Sequence, residues 1–486
     1  MSEATPSGGD PRSRFSAQAL VRPVVFGPLL FIAAAGISLW YASRGFPFQD
    51  EGSTLTAASK ILDGAVFYRD IDAYPFPGAP YLLALCMSLF GEHLSVARGL
   101  AGLLYCASVL ALYAASLQLV DRNRAALFGL CLLGFKFVGW PAFSTYNYSD
   151  VGFFFACLAI SLLVTPIARA SGLRMLLAGF CVAGAVASKQ NLGIYLGSAA
   201  GALLVADRVV AGGQRANRID RWKPLLGFAL GVMIPLGAAM LYFAAQGLLG
   251  SLLYSGLIRP FTGYLPTGGI SFSPMLAWWR LGELHDSAAS NYFVGDYFQL
   301  LMLGRLPGPS WYGAYWFAGE LFSRVVYSAI PAAYLWVIVR AIAALRRATV
   351  SSQDAKVFSV AVLSLAAVLS AFPRADFFHI ISVFPALLLL LFALSQPSGA
   401  RQRTPRIAVF AIVVGLGLCA VLSFTQRAQL THQVRLARAD VVVDPTHAWI
   451  ETVVNVIEQE VEPDQPLFVY GHEAYLYFLT RSEEHT

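Results

Sequence analysis

Charged residues are scarce in this sequence. Asp, Glu, Lys and Arg make up only 13% of its 486 residues, whereas hydrophobic types make up 57%. Soluble domains usually carry roughly 25% charged residues, so the composition excludes a soluble fold. Long apolar runs alternate with short polar stretches, and many runs have the roughly 20 residues that a helix needs to cross a bilayer. Because a backbone in lipid must satisfy its own hydrogen bonds, these runs predict helices.

Cysteine motifs and repeats are also missing. The six cysteines all lie in apolar stretches, with no CxxC pair and no His at ligand spacing. This pattern argues against a cysteine-based metal site and indicates small buried side chains. No fixed-period repeat is visible. The net charge of +6 is scattered over short joints rather than gathered in a stripe, so we predict no nucleic-acid partner.

The apolar runs predict a multi-pass membrane protein with about eleven spanning helices. The predicted spans lie near residues 22–42, 94–120, 125–141, 149–168, 174–188, 191–206, 224–246, 325–345, 357–372, 377–396 and 407–425. Alternating them gathers the arginine-rich joints on the same side as the N-terminal tail. The positive-inside tendency makes that side cytoplasmic. The apolar stretch from Pro80 to His93 is short and is predicted to lie on the membrane surface as an amphipathic helix, not across the membrane.

Three parts are expected along the chain. Residues 1–20 are polar and predict a disordered cytoplasmic tail, and residues 21–425 form the transmembrane domain, with external loops at 44–93 and 247–324. Residues 426–486 form an external segment with a helical pattern followed by a strand-like run. Ser482 to Thr486 look unlike its continuation, so we expect a truncated end. The predicted fold class is an all-α polytopic membrane protein, N-terminus inside and C-terminus outside, with a small C-terminal α/β extramembrane segment.

The first external loop is dense in carboxylates and aromatic side chains. Asp50 and Glu51 stand side by side just outside the first span, and Tyr68, Arg69 and Asp70 follow. Carboxylates accept hydrogen bonds from sugar hydroxyls, and aromatic faces cover the apolar side of a sugar ring. Acidic residues beside a helix end are usually solvated. A surface role and a sugar site are therefore both open for this loop.

Two further external positions carry a charge at the end of a span. Asp150, which follows Tyr146, heads a span, where a carboxylate either caps the helix or faces the same cavity as Asp50. Lys189 lies at an external joint, which the positive-inside tendency disfavours. A cation kept there calls for an anionic partner, either a loop acid or the phosphate of a ligand.

A short external turn holds Arg374, Asp376 and His379. Arg374 and Asp376 either pair with each other, or Arg374 engages two oxygens of a phosphate with its planar fork. Asp376 and His379 are three residues apart at a helix start and can share a face. Because no further ligand stands nearby, we predict no metal site there.

The acidic pair opens an ordered series of short motifs. They are Asp50-Glu51-Gly52, Leu62-Asp63-Gly64, Tyr68-Arg69-Asp70, Leu89-Phe90-Gly91 and Arg98 in the second span. The series resembles that of the multi-spanning GT-C glycosyltransferases, which include protein O-mannosyltransferases and the aminoarabinose transferases of lipid A. The chain lacks the Arg-Tyr-Ala-Glu run that follows the acidic pair in the aminoarabinose enzymes. This departure argues against lipid A as the acceptor.

The resemblance implies a glycosyltransferase of the cell envelope. It would move a sugar from a polyprenyl-phosphate donor to a lipid, glycan or protein acceptor, with inversion at the anomeric carbon. The residues it implies are Asp50 and Glu51 for catalysis, Tyr68, Asp70, Tyr146 and Asp150 for the substrate, and Lys189, Arg374 and His379 for the donor phosphate. No cofactor is expected, with a divalent cation left open. We expect a place in the inner (plasma) membrane, among its lipids, with the active site facing the periplasm or exterior.

A transporter or lipid flippase is the alternative, since it would also need many spans and internal charges. Transporters usually show matched halves with interrupted helices at mid-membrane, and this sequence shows no such pairing. Its charges collect at the external ends of spans, which favours an interfacial enzyme. A structural or assembly protein would leave Asp50-Glu51, Lys189 and Arg374 without a role.

Overall fold

The structure is a computed structural model that describes most of the chain. The described residues are 22–46, 49–140, 142–164, 171–210, 218–283, 293, 312–346, 350–396, 404–428, 430–462, 465–469, 474–481 and 483–484. The predicted tail at residues 1–20 lies outside them. So do residues 284–292 and 294–311 of the second predicted external loop, and residues 482, 485 and 486.

Every predicted span falls on a helix. The helices of the membrane domain are α1 (Pro23–Ala42), α2 (Gln49–Leu62), α3 (Gly78–Phe90), α4 (Leu94–Ser116), α5 (Arg122–Val138), α6 (Tyr148–Leu163), α7 (Gly172–Ser188), α8 (Gln190–Val210), α9 (Arg218–Ala245), α10 (Leu249–Leu253), α11 (Leu265–Gly268), α12 (Tyr312–Arg346), α13 (Ser352–Leu369), α14 (Phe377–Leu394) and α15 (Thr404–Ala428). Helices α2 and α3 lie between the first two predicted spans. The stretch Pro80 to His93 is mostly helical, as predicted.

Six helices in the described part of the chain are long and apolar enough to cross a bilayer, judged by length and composition. They are Pro23–Ala42, Leu94–Ser116, Trp222–Ala245, Phe317–Arg346, Ser352–Leu369 and Phe377–Leu394. Gly78–Phe90, Tyr148–Leu163, Gly172–Ser188 and Val409–Thr425 are shorter apolar helices. The predicted helical membrane class is confirmed.

Helix α14 forms the centre of the core. All its side chains from Ile380 to Leu394 are buried, and it packs against α4, α5, α6, α12, α13 and α15. A helix that is apolar on every side must be surrounded by other helices or by lipid. Helix α9 is exposed rather than surrounded by helices, because its Leu241 side chain is 73% exposed and its Met233 side chain is 67% exposed. Its apolar outer face suits contact with acyl chains.

Helices α7 and α9 approach each other through glycines. A Cβ atom added at Gly179 would lie 2.1 Å from the carbonyl oxygen of Phe228, and one added at Gly231 would lie 2.1 Å from that of Leu176. Where lipid weakens the hydrophobic drive between helices, small residues permit the close backbone contact that holds them together.

We expect Gly231→Leu to lower the free energy of unfolding by about 1–3 kcal/mol, because the new side chain pushes the two helices apart. Thermal unfolding in detergent measures the loss. Gly237→Leu on the same helix is the matched control, since a Cβ there meets no atom within 4 Å. Equal melting of the two variants would show that the close contact does not contribute to stability.

The C-terminal segment contains a β-hairpin, a longer helix, a short helix and two further short strands. Strands β1 (His432–Leu436) and β2 (Ala439–Val443) pair antiparallel, with His432 opposite Val443. They are followed by α16 (Trp449–Glu460), β3 (Pro466–Leu467), α17 (Tyr475–Thr480) and β4 (Glu483–Glu484), and β3 pairs parallel with β4. The predicted helix and strand are present, and the hairpin was not predicted. The amide of Val442 donates to the carbonyl of Ser43 at 2.7 Å, which ties the segment to the end of α1.

Candidate active site

A cavity of about 950 Å³ lies where the ends of several helices meet. That volume lies within the usual range of small-molecule sites. The side chains around it come from α2, the loop after α2, the joint between α7 and α8, the segment after α10, the turn before α14 and the C-terminal segment. Its charged lining residues are Asp50, Lys60, Asp70, Asp72, Lys189, Arg374, Asp376 and His379.

Asp50 is the second residue of α2 and opens onto the cavity. Its backbone carbonyl accepts a hydrogen bond from the Thr54 hydroxyl at 2.8 Å, whereas no side chain among the described residues donates to its carboxylate. Dense protein surroundings raise the pKa of Asp50 above its ordinary value, although positive charge at His379, Arg374 and Lys189 opposes the rise. The carboxylate is thus accessible from the cavity and free to accept a proton.

The Glu51 side chain points away from the cavity, because successive side chains on a helix are separated by about 100°. It is fully buried and pairs with the buried Arg98 at 2.9 Å. The Tyr146 amide donates to Glu51 at 3.1 Å, and the Tyr475 hydroxyl donates to it as well. Arg98 also donates to the carbonyl of Gly45 at 2.8 Å. The structure therefore places Glu51 outside the cavity, where it anchors the first turn of α2.

The turn before α14 forms a chain of paired charges. Arg374 Nε donates to Asp376 at 2.5 Å, and the other oxygen of Asp376 accepts from the His379 amide at 2.9 Å and lies 2.7 Å from His379 Nδ1. Burial would raise the pKa of Asp376, but the hydrogen bond and charge of His379, together with Arg374, hold it below its ordinary value. An ionised Asp376 thus orients both Arg374 and His379 at the cavity edge.

Lys189 lies between α7 and α8 and is only 5% exposed. In the described part of the chain its amine makes no hydrogen bond or ion pair. Burial lowers the pKa of Lys189 to about 8, although Asp150, Asp376 and Asp50 favour its charged form. A buried cation of this kind calls for an anionic partner.

A second wall of the cavity joins the first external loop to the segment after α10. The Gln190 side-chain amide donates to the carbonyls of Tyr74 at 3.1 Å and Gly256 at 3.0 Å. Arg259 pairs with Asp72 and stacks 4.3 Å from the centre of the Tyr74 ring. This ion pair holds the pKa of Asp72 below its ordinary value despite partial burial. These contacts close the cavity on the side of the first external loop.

Tyr68, Tyr146 and Asp150 do not line the cavity. Tyr68 has a φ of +67°, and its hydroxyl donates to the carbonyl of Pro75 at 2.8 Å. The Tyr146 hydroxyl donates to the carbonyl of Ala79 at 2.8 Å. Asp150 accepts from the Asn147 side chain at 2.8 Å, while Asn147 itself caps α6. In this structure the three side chains hold the loops behind the cavity.

Of the nine site residues predicted from the sequence, the structure brings five to the cavity. They are Asp50, Asp70, Lys189, Arg374 and His379. The prediction did not include Ala474 and Tyr477 of the C-terminal segment, which also line it. Their separation from the acidic pair by more than four hundred residues gives no sequence signal. No group of three or more His, Cys, Asp or Glu among the described residues could hold a metal ion.

Comparison with known proteins defines the class of fold. The sequence model of the family described as dolichyl-phosphate-mannose-protein mannosyltransferase matches residues 74–213. No curated protein sequence matches the chain. The ArnT structure from Cupriavidus metallidurans bound to undecaprenyl phosphate is 13% identical, with a TM-score of 0.54 over 96% of this chain and 86% of that one.

Two structures of the oligosaccharyltransferase from Archaeoglobus fulgidus are also similar. The complex with Zn and sulfate is 12% identical over 94% of this chain, with a TM-score of 0.51. The AglB complex with an inhibitory peptide and a dolichol-phosphate is 12% identical over 94% of this chain, with a TM-score of 0.50. This chain spans 62% and 64% of the length of those two chains. At these identities the likeness shows the fold, which is that of the GT-C membrane glycosyltransferases.

Proposed function

We propose that this protein transfers a sugar from a polyprenyl-phosphate donor to a hydroxyl acceptor at the non-cytoplasmic face of the membrane. The observation that carries the proposal is the arrangement around the cavity. Asp50 and the buried Lys189, whose side chains lack a bonded partner among the described residues, open onto the same space as the turn that holds Arg374 and His379. The fold supports the proposal, because similar structures hold undecaprenyl phosphate and dolichol-phosphate.

In the proposed reaction Asp50 acts on the acceptor, and the residues around Lys189 act on the leaving phosphate. Asp50 takes the proton from the acceptor hydroxyl while the acceptor oxygen forms a bond to the anomeric carbon. The bond between that carbon and the phosphate oxygen breaks, and polyprenyl phosphate leaves with the electron pair. Lys189, Arg374 and His379 stabilise the negative charge on the departing phosphate. Attack opposite the leaving group inverts the anomeric centre.

The raised pKa of Asp50 suits this role. A carboxylate with an ordinary pKa is a weak base, and the rise brings its proton affinity closer to what proton transfer near neutral pH requires. The same shift predicts that the rate falls as the pH falls through the raised pKa, because protonated Asp50 cannot accept a proton. Glu51 then serves the site by holding Asp50 in place.

The test is transfer of radiolabelled sugar from membrane-extracted polyprenyl-phosphate donors by the purified protein. We expect labelled product together with stoichiometric release of polyprenyl phosphate. The matched control is protein incubated with the same donor after heat inactivation. Absence of donor cleavage with every extracted donor, combined with movement of labelled lipid across vesicle membranes, would favour the flippase alternative instead.

Binding of undecaprenyl phosphate should weaken as the pH rises through about 8, where Lys189 loses its proton. The sign follows because a bound anion favours the charged amine, so deprotonation opposes binding. The loss should level off at about tenfold, because deprotonation removes no more than one charge-assisted contact. Equilibrium binding between about pH 7 and pH 9.5 measures it.

The Lys189→Gln variant is the control for this pH dependence. We expect it to bind undecaprenyl phosphate about tenfold more weakly near neutral pH, which corresponds to the loss of one charge-assisted contact. Its affinity should then stay constant over the alkaline range. An equally steep decline in the variant would mean that another group titrates and that Lys189 does not contact the phosphate.

A further inference from the structure

The C-terminal segment takes part in the active centre as well as lying beside it. Ala474 and Tyr477 line the cavity, and between them Tyr475 turns inward to the anchored end of α2. Tyr475 is 5% exposed, and its hydroxyl donates to Glu51, which is fully buried. The side chain immediately before Glu51 is Asp50. The segment therefore contacts the helical turn that carries the proposed base.

The backbones of the two elements touch at the same place. A Cβ atom added at Gly52 would lie 2.5 Å from the Tyr475 backbone nitrogen, so only a glycine permits this contact. One turn further along α2, the Thr56 hydroxyl donates to the carbonyl of Ala474 at 3.4 Å. The Tyr475 ring also packs against Phe46, with centroids 5.2 Å apart. Helix α17 is thus seated on the residues that flank Asp50.

The other side of α17 is fixed by Arg438 in the turn of the hairpin. Arg438 donates to the carbonyl of Phe478 at 2.9 Å and to Glu92 at 2.7 Å, and its own carbonyl accepts from the Leu94 amide at 2.9 Å. These bonds tie the segment to the start of α4, the helix that carries Arg98. The segment therefore contacts both α2, which carries Glu51, and the start of α4, which carries Arg98.

We propose that Tyr475 is a positioning residue: through its hydrogen bond to Glu51 it fixes the first turn of α2, so that docking of the C-terminal segment sets the position of Asp50. Only the expected effect of Tyr475 on the rate of sugar transfer depends on the proposed function. The positional effect itself does not need donor or acceptor, and it can be measured on the full chain alone.

The experiment compares Tyr475→Phe with wild type by hydrogen exchange and by donor cleavage. The variant keeps the ring that packs on Phe46 and removes only the hydroxyl. Amides in residues 49–56 should exchange about tenfold faster, because the first turn of α2 opens more often. The rate constant kcat for cleavage of membrane-extracted polyprenyl-phosphate sugars should fall about tenfold, with KM for the donor unchanged.

The matched control is Tyr41→Phe, which also removes a buried tyrosine hydroxyl, one that lies 3.1 Å from the hydroxyl of Ser423. It should leave exchange at residues 49–56 and kcat unchanged. A second variant, Arg438→Gln, loosens the segment from its other side and should accelerate exchange in the same residues. Because this second variant leaves the Tyr475 hydroxyl in place, it tests docking of the segment separately from the single hydrogen bond.

The outcomes separate the two proposals. Unchanged exchange at residues 49–56 in both Tyr475→Phe and Arg438→Gln would overturn the positioning role, whatever the activity. Faster exchange together with a wild type that cleaves no donor would sustain the positional link and count against the glycosyltransferase. A rise in donor KM with constant kcat would also overturn the proposal, because it would place Tyr475 at the donor instead.

Discussion

The Asp50→Asn variant is expected to transfer sugar about 10²–10⁴ times more slowly than wild type, the range that general bases contribute. Asparagine has nearly the shape of aspartate but cannot accept the proton of the acceptor hydroxyl. Binding of undecaprenyl phosphate should be unchanged or tighter, because removal of a negative charge from the cavity reduces repulsion of the phosphate. Single-turnover transfer at saturating donor measures the chemical step.

The fold should tolerate this change. Dense surroundings raise the pKa of Asp50, which means that the folded protein disfavours the charged form, so a neutral amide should not lower the unfolding temperature. Asp440→Asn serves as the control, since Asp440 is an exposed strand residue remote in sequence from Asp50. Transfer by Asp50→Asn at a rate similar to that of Asp440→Asn would rule out Asp50 as the base.

The membrane helices could be predicted because their signal is local. An apolar run of the length of a bilayer has few alternatives to a helix, and α1, α4 and α14 begin within one residue of the predicted spans. The hairpin of β1 and β2 gave no such signal. Its strands are short and partly polar, and their position depends on backbone bonds to Ser43 and Gly45, nearly four hundred residues earlier.

The site could be predicted where a charged residue stands at a position that normally disfavours its charge. Lys189 and Arg374 stood at external ends of spans, where the positive-inside tendency disfavours cations, and the structure brings both to the cavity. Both Asp50 and Glu51 were assigned to catalysis from the sequence. In the structure the Asp50 side chain opens onto the cavity, whereas the Glu51 side chain pairs with Arg98. No composition or spacing rule distinguishes neighbours whose environments are set by distant parts of the chain.

Arg98 is a charged residue inside a predicted span. A charge inside a predicted span must find a partner. The partner of Arg98 is Glu51, which belongs to the Asp50-Glu51-Gly52 motif. Lys136, which also lies inside a predicted span, donates to the carbonyl of Phe143 and lies 4.8 Å from the centre of the Tyr105 ring. The need for partners followed from the physics of the membrane, whereas their identity required the fold.

The Arg98→Met variant is expected to lose about 3–5 kcal/mol of stability, because it leaves the Glu51 carboxylate buried without its cation. Arg98 is 2% exposed and donates to backbone carbonyls where α1 leads into α2, so its loss also releases that linker. Unfolding in detergent, followed by tryptophan fluorescence, measures the change. The matched control is Arg69→Met, which removes the exposed ion pair with Asp70 and should leave unfolding unchanged.

The double variant Arg98→Met with Glu51→Leu decides why the single variant is unstable. If the cost arises from an unpaired buried charge, removing both charges should recover most of the lost stability, since apolar pairs often replace buried ion pairs at little cost. If the cost arises from the released linker, the double variant should be no more stable than Arg98→Met. Recovered stability without recovered sugar transfer would then show that the pair is kept to hold Asp50 in position rather than to hold the fold together.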